Sequence, residues 1–208
     1  SQILAQLVDA KRGHMVVDFC AGAGGKTLAL GAMMGNQGRL YAYDVSAKRL
    51  ARLKPRLKRS GLSNVQTQLI GSEKDPRIQR LAGKIDRVLI DAPCTGLGTL
   101  RRNPDMKWRQ AEADISTLTD KQLRILNAAS TLVKKDGLLV YGTCSILRDE
   151  NEAVIERFMN ERSGKFELID AAKSLGIEGI DSQNTPYLKL LPNTHGCDGF
   201  FAATLKAI

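Results

Sequence analysis

Strand-length apolar runs recur along this chain and alternate with stretches of helical character. That order restricts it to an α/β architecture with a mostly parallel sheet. Residues 15–20, 39–44, 65–70, 85–91, 137–143, 166–169 and 199–205 read as seven strands. Between them, 26–34, 47–60, 118–134 and 149–160 read as helices, the second interrupted or kinked at Pro55 and capped by Gly61. The expectation is a doubly wound, Rossmann-like sheet with helices on both faces. No repeat, linker or low-complexity segment breaks the pattern, so residues 1–208 are expected to form one domain.

At 208 residues and 43% hydrophobic content there is room for a sizeable core, and no apolar run is long enough to span a bilayer. There is no signal-peptide pattern and the first residue is Ser, which points to a fragment. Cys20, Cys94, Cys144 and Cys197 form no CxxC pair, so neither a structural zinc site nor any other metal is expected. Four cysteines without disulfide density fit the reducing cytoplasm, where a site thiol stays reduced. The net charge of +9 favours a polyanionic partner over a membrane, with a generic basic surface as the alternative.

Two strands end on chemistry-bearing segments. Val88-Leu89-Ile90 runs into Asp91-Ala92-Pro93-Cys94-Thr95-Gly96, and Leu138-Leu139-Val140-Tyr141 into Gly142-Thr143-Cys144-Ser145. Ligands of open parallel sheets gather at the carboxyl ends of the strands. If these two strands are neighbours, about 4.8 Å apart, both thiols face one substrate. A thiol can add to an electron-poor ring carbon and later depart, which suggests carbon chemistry on a pyrimidine.

The first strand runs into Ala21-Gly22-Ala23-Gly24-Gly25-Lys26, a turn where backbone can approach a ligand closely, and the second ends on Asp44. A carboxylate there can accept both ribose hydroxyls. The turn departs from GxGxxG, and paired thiols have no task in hydride transfer. S-adenosylmethionine, with an adenosine and no pyrophosphate, fits better than a dinucleotide.

Taken together the residues resemble the RNA (cytosine-5) methyltransferase family of the Sun/Nol1/NOP2 (RsmB-like) type. The resemblance rests on Asp18-Phe19-Cys20-Ala21-Gly22-Ala23-Gly24-Gly25-Lys26-Thr27, Asp44, Asp91-Ala92-Pro93-Cys94-Thr95-Gly96-Leu97-Gly98 and Arg101-Arg102-Asn103-Pro104-Asp105-Met106-Lys107-Trp108. Gly142-Thr143-Cys144-Ser145 and Asp198-Gly199-Phe200-Phe201 complete it, spanning nearly the whole chain in the family's order. It implies a class I S-adenosylmethionine-dependent methyltransferase domain, with the family's N-terminal RNA-binding extension lying outside the chain. Two departures stand out. Gly22-Ala23 replaces the family's Ala-Pro, loosening the turn without removing its amides. Gly71-Ser72-Glu73 stands where an aspartate usually approaches the adenine, with Ser72 or Glu73 as substitute.

The resemblance assigns the attack on cytosine C6 to Cys144 and assistance in elimination to Cys94, with Asp91 at the base edge near N3. The cofactor is then expected to lie against Cys20, Ala21, Gly22, Ala23, Gly24, Gly25, Lys26, Asp44, Ser72, Asp91 and Pro93. Cys20 and Cys197 are otherwise expected in packing, and Lys26 beside Asp91 or the cofactor carboxylate. Arg101, Arg102, Lys107, Trp108 and Arg109 suit phosphate contact and base stacking. The seven cations Lys48, Arg49, Arg52, Lys54, Arg56, Lys58 and Arg59 read as an ordinary solvated helix face. Cys144 needs activation, since a free thiol is mostly protonated at neutral pH and neither His14 nor His195 is near it in sequence. The expected activity is methylation of cytosine C5 in RNA, rRNA before tRNA, by a monomer. The rivals are a non-catalytic RNA-binding assembly factor and a DNA cytosine methyltransferase attacking through Cys94.

Overall fold

A computed structural model describes residues 2–108, 111–176 and 185–208. In chain order the elements are α1 (Gln2–Leu7), β1 (Met15–Asp18), α2 (Gly25–Met33), β2 (Arg39–Asp44), α3 (Ala47–Ser60), β3 (Val65–Leu69), α4 (Pro76–Gln79) and β4 (Ile85–Asp91). There follow α5 (Glu112–Ser130), β5 (Val133–Thr143), α6 (Glu152–Glu161), β6 (Phe166–Ile169), α7 (Ala171–Leu175), β7 (Leu188–Leu190), α8 (Pro192–His195) and β8 (Phe200–Ala207). The sheet order is β3-β2-β1-β4-β5-β8-β6, with β7 also on β8. β3 through β5 are parallel, and β8 runs antiparallel to β5. β6 and β7 share the other edge of β8, along its second and first half respectively.

Alternation along the strands divides the core. Val17, Val88, Ile90, Leu139 and Tyr141 face one way, onto Ile125, Leu126 and Ala129 of α5 and Val154, Ile155 and Phe158 of α6. Val16, Leu89, Val140 and Ala202 face the other way, onto Leu4 and Leu7 of α1, Leu30 of α2 and Ala171 of α7. Burying each of the valines, leucines, isoleucines and the phenylalanine among them is worth about 1.5–3 kcal/mol. Helices on both faces follow, as expected.

The structure differs from the expectation at several points. Among the described residues there are eight strands, because Leu188 and Leu190 turn inward around Lys189 to form β7, a run too short to show a period in sequence. α3 is not interrupted at Pro55. Leu50 and Leu53 hold it against Ala21 and Ala42, while Pro55 lies on the solvent face, where the carbonyl it leaves unpaired can meet water. α5 starts six residues before the expected 118–134, with Glu112 and Asp114 in its first turn and Asp114 accepting the Ala111 amide, and it ends at Ser130. β5 begins at Val133, opposite Ile85, then bulges over Lys134 to Gly137 before pairing resumes at Leu138 opposite Arg87. The charges in that bulge and Asp136, at φ 61°, hide the strand's start.

Candidate active site

The carboxyl ends of β1 and β2 form one half of the site. After Asp18 the chain turns back so that the Ala21 amide donates to the Tyr43 carbonyl (2.8 Å) and the Gly24 amide to the Ala21 carbonyl (2.9 Å). Gly24 takes φ 85° directly above Leu53 of α3, where any side chain would collide with that leucine. The Asp44 carboxylate accepts from the Gly22 amide (2.8 Å) and the Ser46 amide (2.7 Å), tying the turn to β2. Beside it Val45 and Leu69 are 57% and 44% exposed, apolar surface at the same strand ends. Asp18 is wholly buried: Thr27 donates its hydroxyl to Oδ2 (2.7 Å), but Oδ1 has no hydrogen-bond partner. Burial raises its carboxyl from 3.8 to about 7, against the opposing Thr27 hydrogen bond.

The other half lies where β4 and β5 end side by side, with Asp91 opposite Gly142. The two strands are neighbours, and the thiols meet: Cys94 Sγ and Cys144 Sγ are 3.5 Å apart. Lys26, in the first turn of α2, crosses to donate from Nζ to Asp91 Oδ2 at 2.6 Å. Hydrogen bonding between the two sulfurs lowers the Cys144 thiol and raises that of Cys94. Burial and the Asp91 carboxylate oppose the lowering of Cys144, and the Lys26 ammonium adds to it weakly. The lowering of Cys144 therefore comes chiefly from the second cysteine rather than from histidine. His14 and His195 accept the Lys11 and Leu191 amides in their own turns.

A buried network sets these thiols. The Glu150 carboxylate accepts the Thr95 amide (2.9 Å), the Thr95 hydroxyl (2.6 Å) and the Gln122 amide nitrogen (3.0 Å). Gln122 also donates to the Pro93 carbonyl at 2.9 Å, so the loop bearing Cys94 is gripped on both sides. Asn151 accepts the Thr143 hydroxyl and donates to the Ser145 carbonyl, bracketing Cys144. The Gly98 amide donates to the Cys144 carbonyl (2.8 Å) while its own carbonyl accepts from Gly199 (2.7 Å). Gly98 has no room for a side chain between those two backbones.

The sequence-predicted residues divide accordingly. Cys94, Cys144, Asp91 and Lys26 are brought together, and Ala21, Gly22, Ala23, Gly24, Gly25 and Asp44 line the adjoining turn. Cys20 packs against the core and contributes backbone to that turn, its thiol pushed up by burial. Cys197 packs against the opposite cluster. Glu73 is ion-paired with Arg124, which leaves Ser72 as the candidate beyond β3. Arg101 donates to the Gly196 carbonyl (2.7 Å), Arg102 pairs with Asp198, and Lys107 stacks over the ring of Trp108, which is 81% exposed. Arg109 lies outside the described residues. Sequence reasoning gave no role to the Asp18 side chain, Val45, Gln122, Glu150 or Asn151. No local signal marks Gln122 and Glu150, whose partners lie far off in sequence.

A family model described as 16S rRNA methyltransferase RsmB/F matches residues 5–206, essentially the whole chain. The chain belongs to that family. Over 99% of its length it is 40% identical to "Probable ribosomal RNA small subunit methyltransferase B" of Synechocystis, and over its whole length 35% identical to "Ribosomal RNA small subunit methyltransferase B" of Pasteurella multocida. It covers 46% of each of these proteins, so it spans just under half the length of the curated relatives it matches. NSun6 from Pyrococcus horikoshii, solved with the S-adenosylmethionine analogue SFG, superposes with a TM-score of 0.85 at 27% identity. That match takes in 99% of this chain and 50% of NSun6. Membership in the RsmB/F family makes this the Rossmann-like, class I fold of S-adenosylmethionine-dependent rRNA methyltransferases. No described helix is long and apolar enough to cross a membrane, and no cluster of metal-ligating side chains occurs among the described residues.

Proposed function

We propose that the protein containing this chain methylates C5 of a cytosine in small-subunit rRNA, with S-adenosylmethionine as donor and Cys144 as covalent nucleophile. The observation that carries this reading is the 3.5 Å pairing of Cys94 and Cys144 at adjacent strand ends, beside the Lys26–Asp91 pair and the glycine turn. The RsmB/F family and its relatives' names favour rRNA over tRNA.

The residues present fit the cofactor. Asp44 keeps free lone pairs for ribose hydroxyls, Val45 offers an apolar surface for a purine, and the unpartnered Oδ1 of Asp18 is a buried acceptor suited to an ammonium group. When bound, S-adenosylmethionine supplies an electrophilic methyl group. The rest falls to the chain. The Cys144 thiolate adds to C6 of an unpaired or flipped cytosine, forming an S–C6 bond and moving the ring's π electrons towards C5 and N3. Asp91, held by Lys26, steadies a proton at N3 as electron density rises there. After C5 has gained its methyl group, loss of the C5 proton to a water molecule returns an electron pair to the ring. The S–C6 bond breaks, the double bond re-forms and the thiolate departs. Cys94, within proton-transfer reach of that sulfur, assists this departure.

Single-cysteine variants of the full-length protein, incubated with unmodified 16S rRNA and S-adenosylmethionine, test the assignment. Cys144→Ala is expected to abolish methylation and form no denaturant-resistant protein–RNA adduct. Cys94→Ala is expected to accumulate that adduct, because attack proceeds and release is slowed. Adducts in Cys144→Ala with none in Cys94→Ala would make Cys94 the nucleophile.

A further inference from the structure

The net charge of +9 is not spread over the molecule. α3 carries seven lysines and arginines in 14 residues and no acid, so outside it 24 basic residues face 22 acidic ones. Without this one helix the chain would have a net charge of about +2. All seven cations are exposed, along an axis of about 21 Å. Among the described residues none of them pairs with a carboxylate. Elsewhere exposed arginines do pair: Arg77 with Asp75, Arg124 with Glu73, Arg148 with Glu156 and Arg157 with Asp120. An isolated helix with seven like charges is destabilised by repulsion at three- and four-residue spacings, so its fold relies on the leucines beneath.

Those leucines also exclude one class of partner. Leu50 and Leu53 are buried against Ala21 and Ala42, so α3 has no apolar face left to insert into a bilayer. What it presents is a row of guanidinium and ammonium groups of one sign, complementary to a chain of phosphates. The row is continuous with the site, since the cap Ser46 lies two residues beyond Asp44 and the Arg56 guanidinium donates to the Ala23 carbonyl of the glycine turn (3.1 Å). We propose that α3 is a second RNA-backbone face, which grips phosphates of the substrate away from the reacting base on the cofactor side of the site. This rests on the RNA reading above.

The test uses full-length protein and unmodified 16S rRNA, comparing wild type with Arg52→Gln/Lys54→Gln/Lys58→Gln/Arg59→Gln. Glutamine keeps helix propensity and removes charge. Each cation touching phosphate contributes roughly 0.7–0.9 to the slope of log affinity against log salt. The variant should flatten that slope by about three units and bind RNA at least tenfold more weakly at low salt. Its affinity for S-adenosylmethionine should be unchanged and its melting temperature no lower, since the repulsion between like charges is relieved. An unchanged slope overturns the proposal and leaves α3 a solvated face. Should the fourfold variant melt early, Lys54→Gln/Lys58→Gln decides by the same slope, with Lys54→Arg/Lys58→Arg expected to retain it. A wild-type protein with no salt-dependent RNA binding would instead defeat the RNA reading itself.

Discussion

The two ends of the site are built on opposite plans. Where β4 and β5 end, nearly every polar group is already held by another part of the chain. Glu150, Gln122 and Asn151 pin the thiol loops, Lys26 holds Asp91, and Arg101 and Arg102 are tied to the segment leading into β8. Where β1 and β2 end, bonding capacity is left open: Asp18 Oδ1 has no partner, Val45 and Leu69 are exposed, and the cations of α3 lack carboxylates among the described residues. On the proposed function, the difference follows from what each end must do. A nucleophile and its helper work only in one fixed geometry, so their positions are set by buried contacts. A ligand-binding rim keeps valences that the chain does not satisfy itself.

The largest effect expected from this contrast is on stability. Glu150→Ala removes the acceptor of the Thr95 amide, of one Gln122 bond and of the shorter of the Thr95 hydroxyl's contacts, the other being to Ser145, in a fully buried place. The loss should be about 3 kcal/mol, read from the midpoint of chemical denaturation. Asp44→Ala, which frees two amides at a partly buried rim, should cost about 1 kcal/mol and instead weaken S-adenosylmethionine binding in calorimetry. If the Asp44 variant were the less stable of the two, the contrast between a pinned end and an open end would be lost.

A smaller effect concerns pH. The Asp18 carboxyl is raised from 3.8 to about 7 in the folded chain. Between those values the folded protein holds a proton that the unfolded chain has released. Stability from this group is therefore fully present near pH 4 and is lost as pH rises through 7, at no more than ~1.4 kcal/mol per pH unit. Asp18→Asn cannot titrate. Melting temperatures of both proteins at constant ionic strength should diverge from pH 4 to pH 8, with the asparagine form gaining relative stability. Parallel profiles would mean that Asp18 is not a strained, open acceptor.

What the sequence made legible is what lies contiguously along it. The strand–helix alternation, the glycine turn with Asp44, and both thiol motifs are local patterns, and the parallel sheet brings them to one rim. Glu150 and Gln122 were hidden because their partners stand 55 and 29 residues away, and polar residues in helical segments look like surface until the fold buries them. The role of Val45 depends on exposure, which sequence does not encode. The cations of α3 read as an ordinary solvated face because pairing is a property of space: acids on other elements neutralise cations elsewhere and leave these alone. Arg102 misled in the opposite sense, its partner Asp198 being 96 residues distant.

That pairing sets the smallest expected effect. Arg101→Ala with Arg102→Ala removes two cations following the Cys94 loop, which in isolation would flatten the salt dependence of 16S rRNA binding by nearly two units. Arg102 is already neutralised by Asp198, however, and Arg101 spends a donor on the Gly196 carbonyl. The double variant should therefore flatten the slope by about one unit, less than the α3 substitutions. Asp198→Asn supplies the converse measurement: releasing Arg102 should steepen the slope rather than flatten it. A double variant that loses two full units would mean that Arg102 leaves Asp198 when RNA binds. The outer surface of the thiol end would then belong with the open half of the site, and only its buried interior would remain pinned.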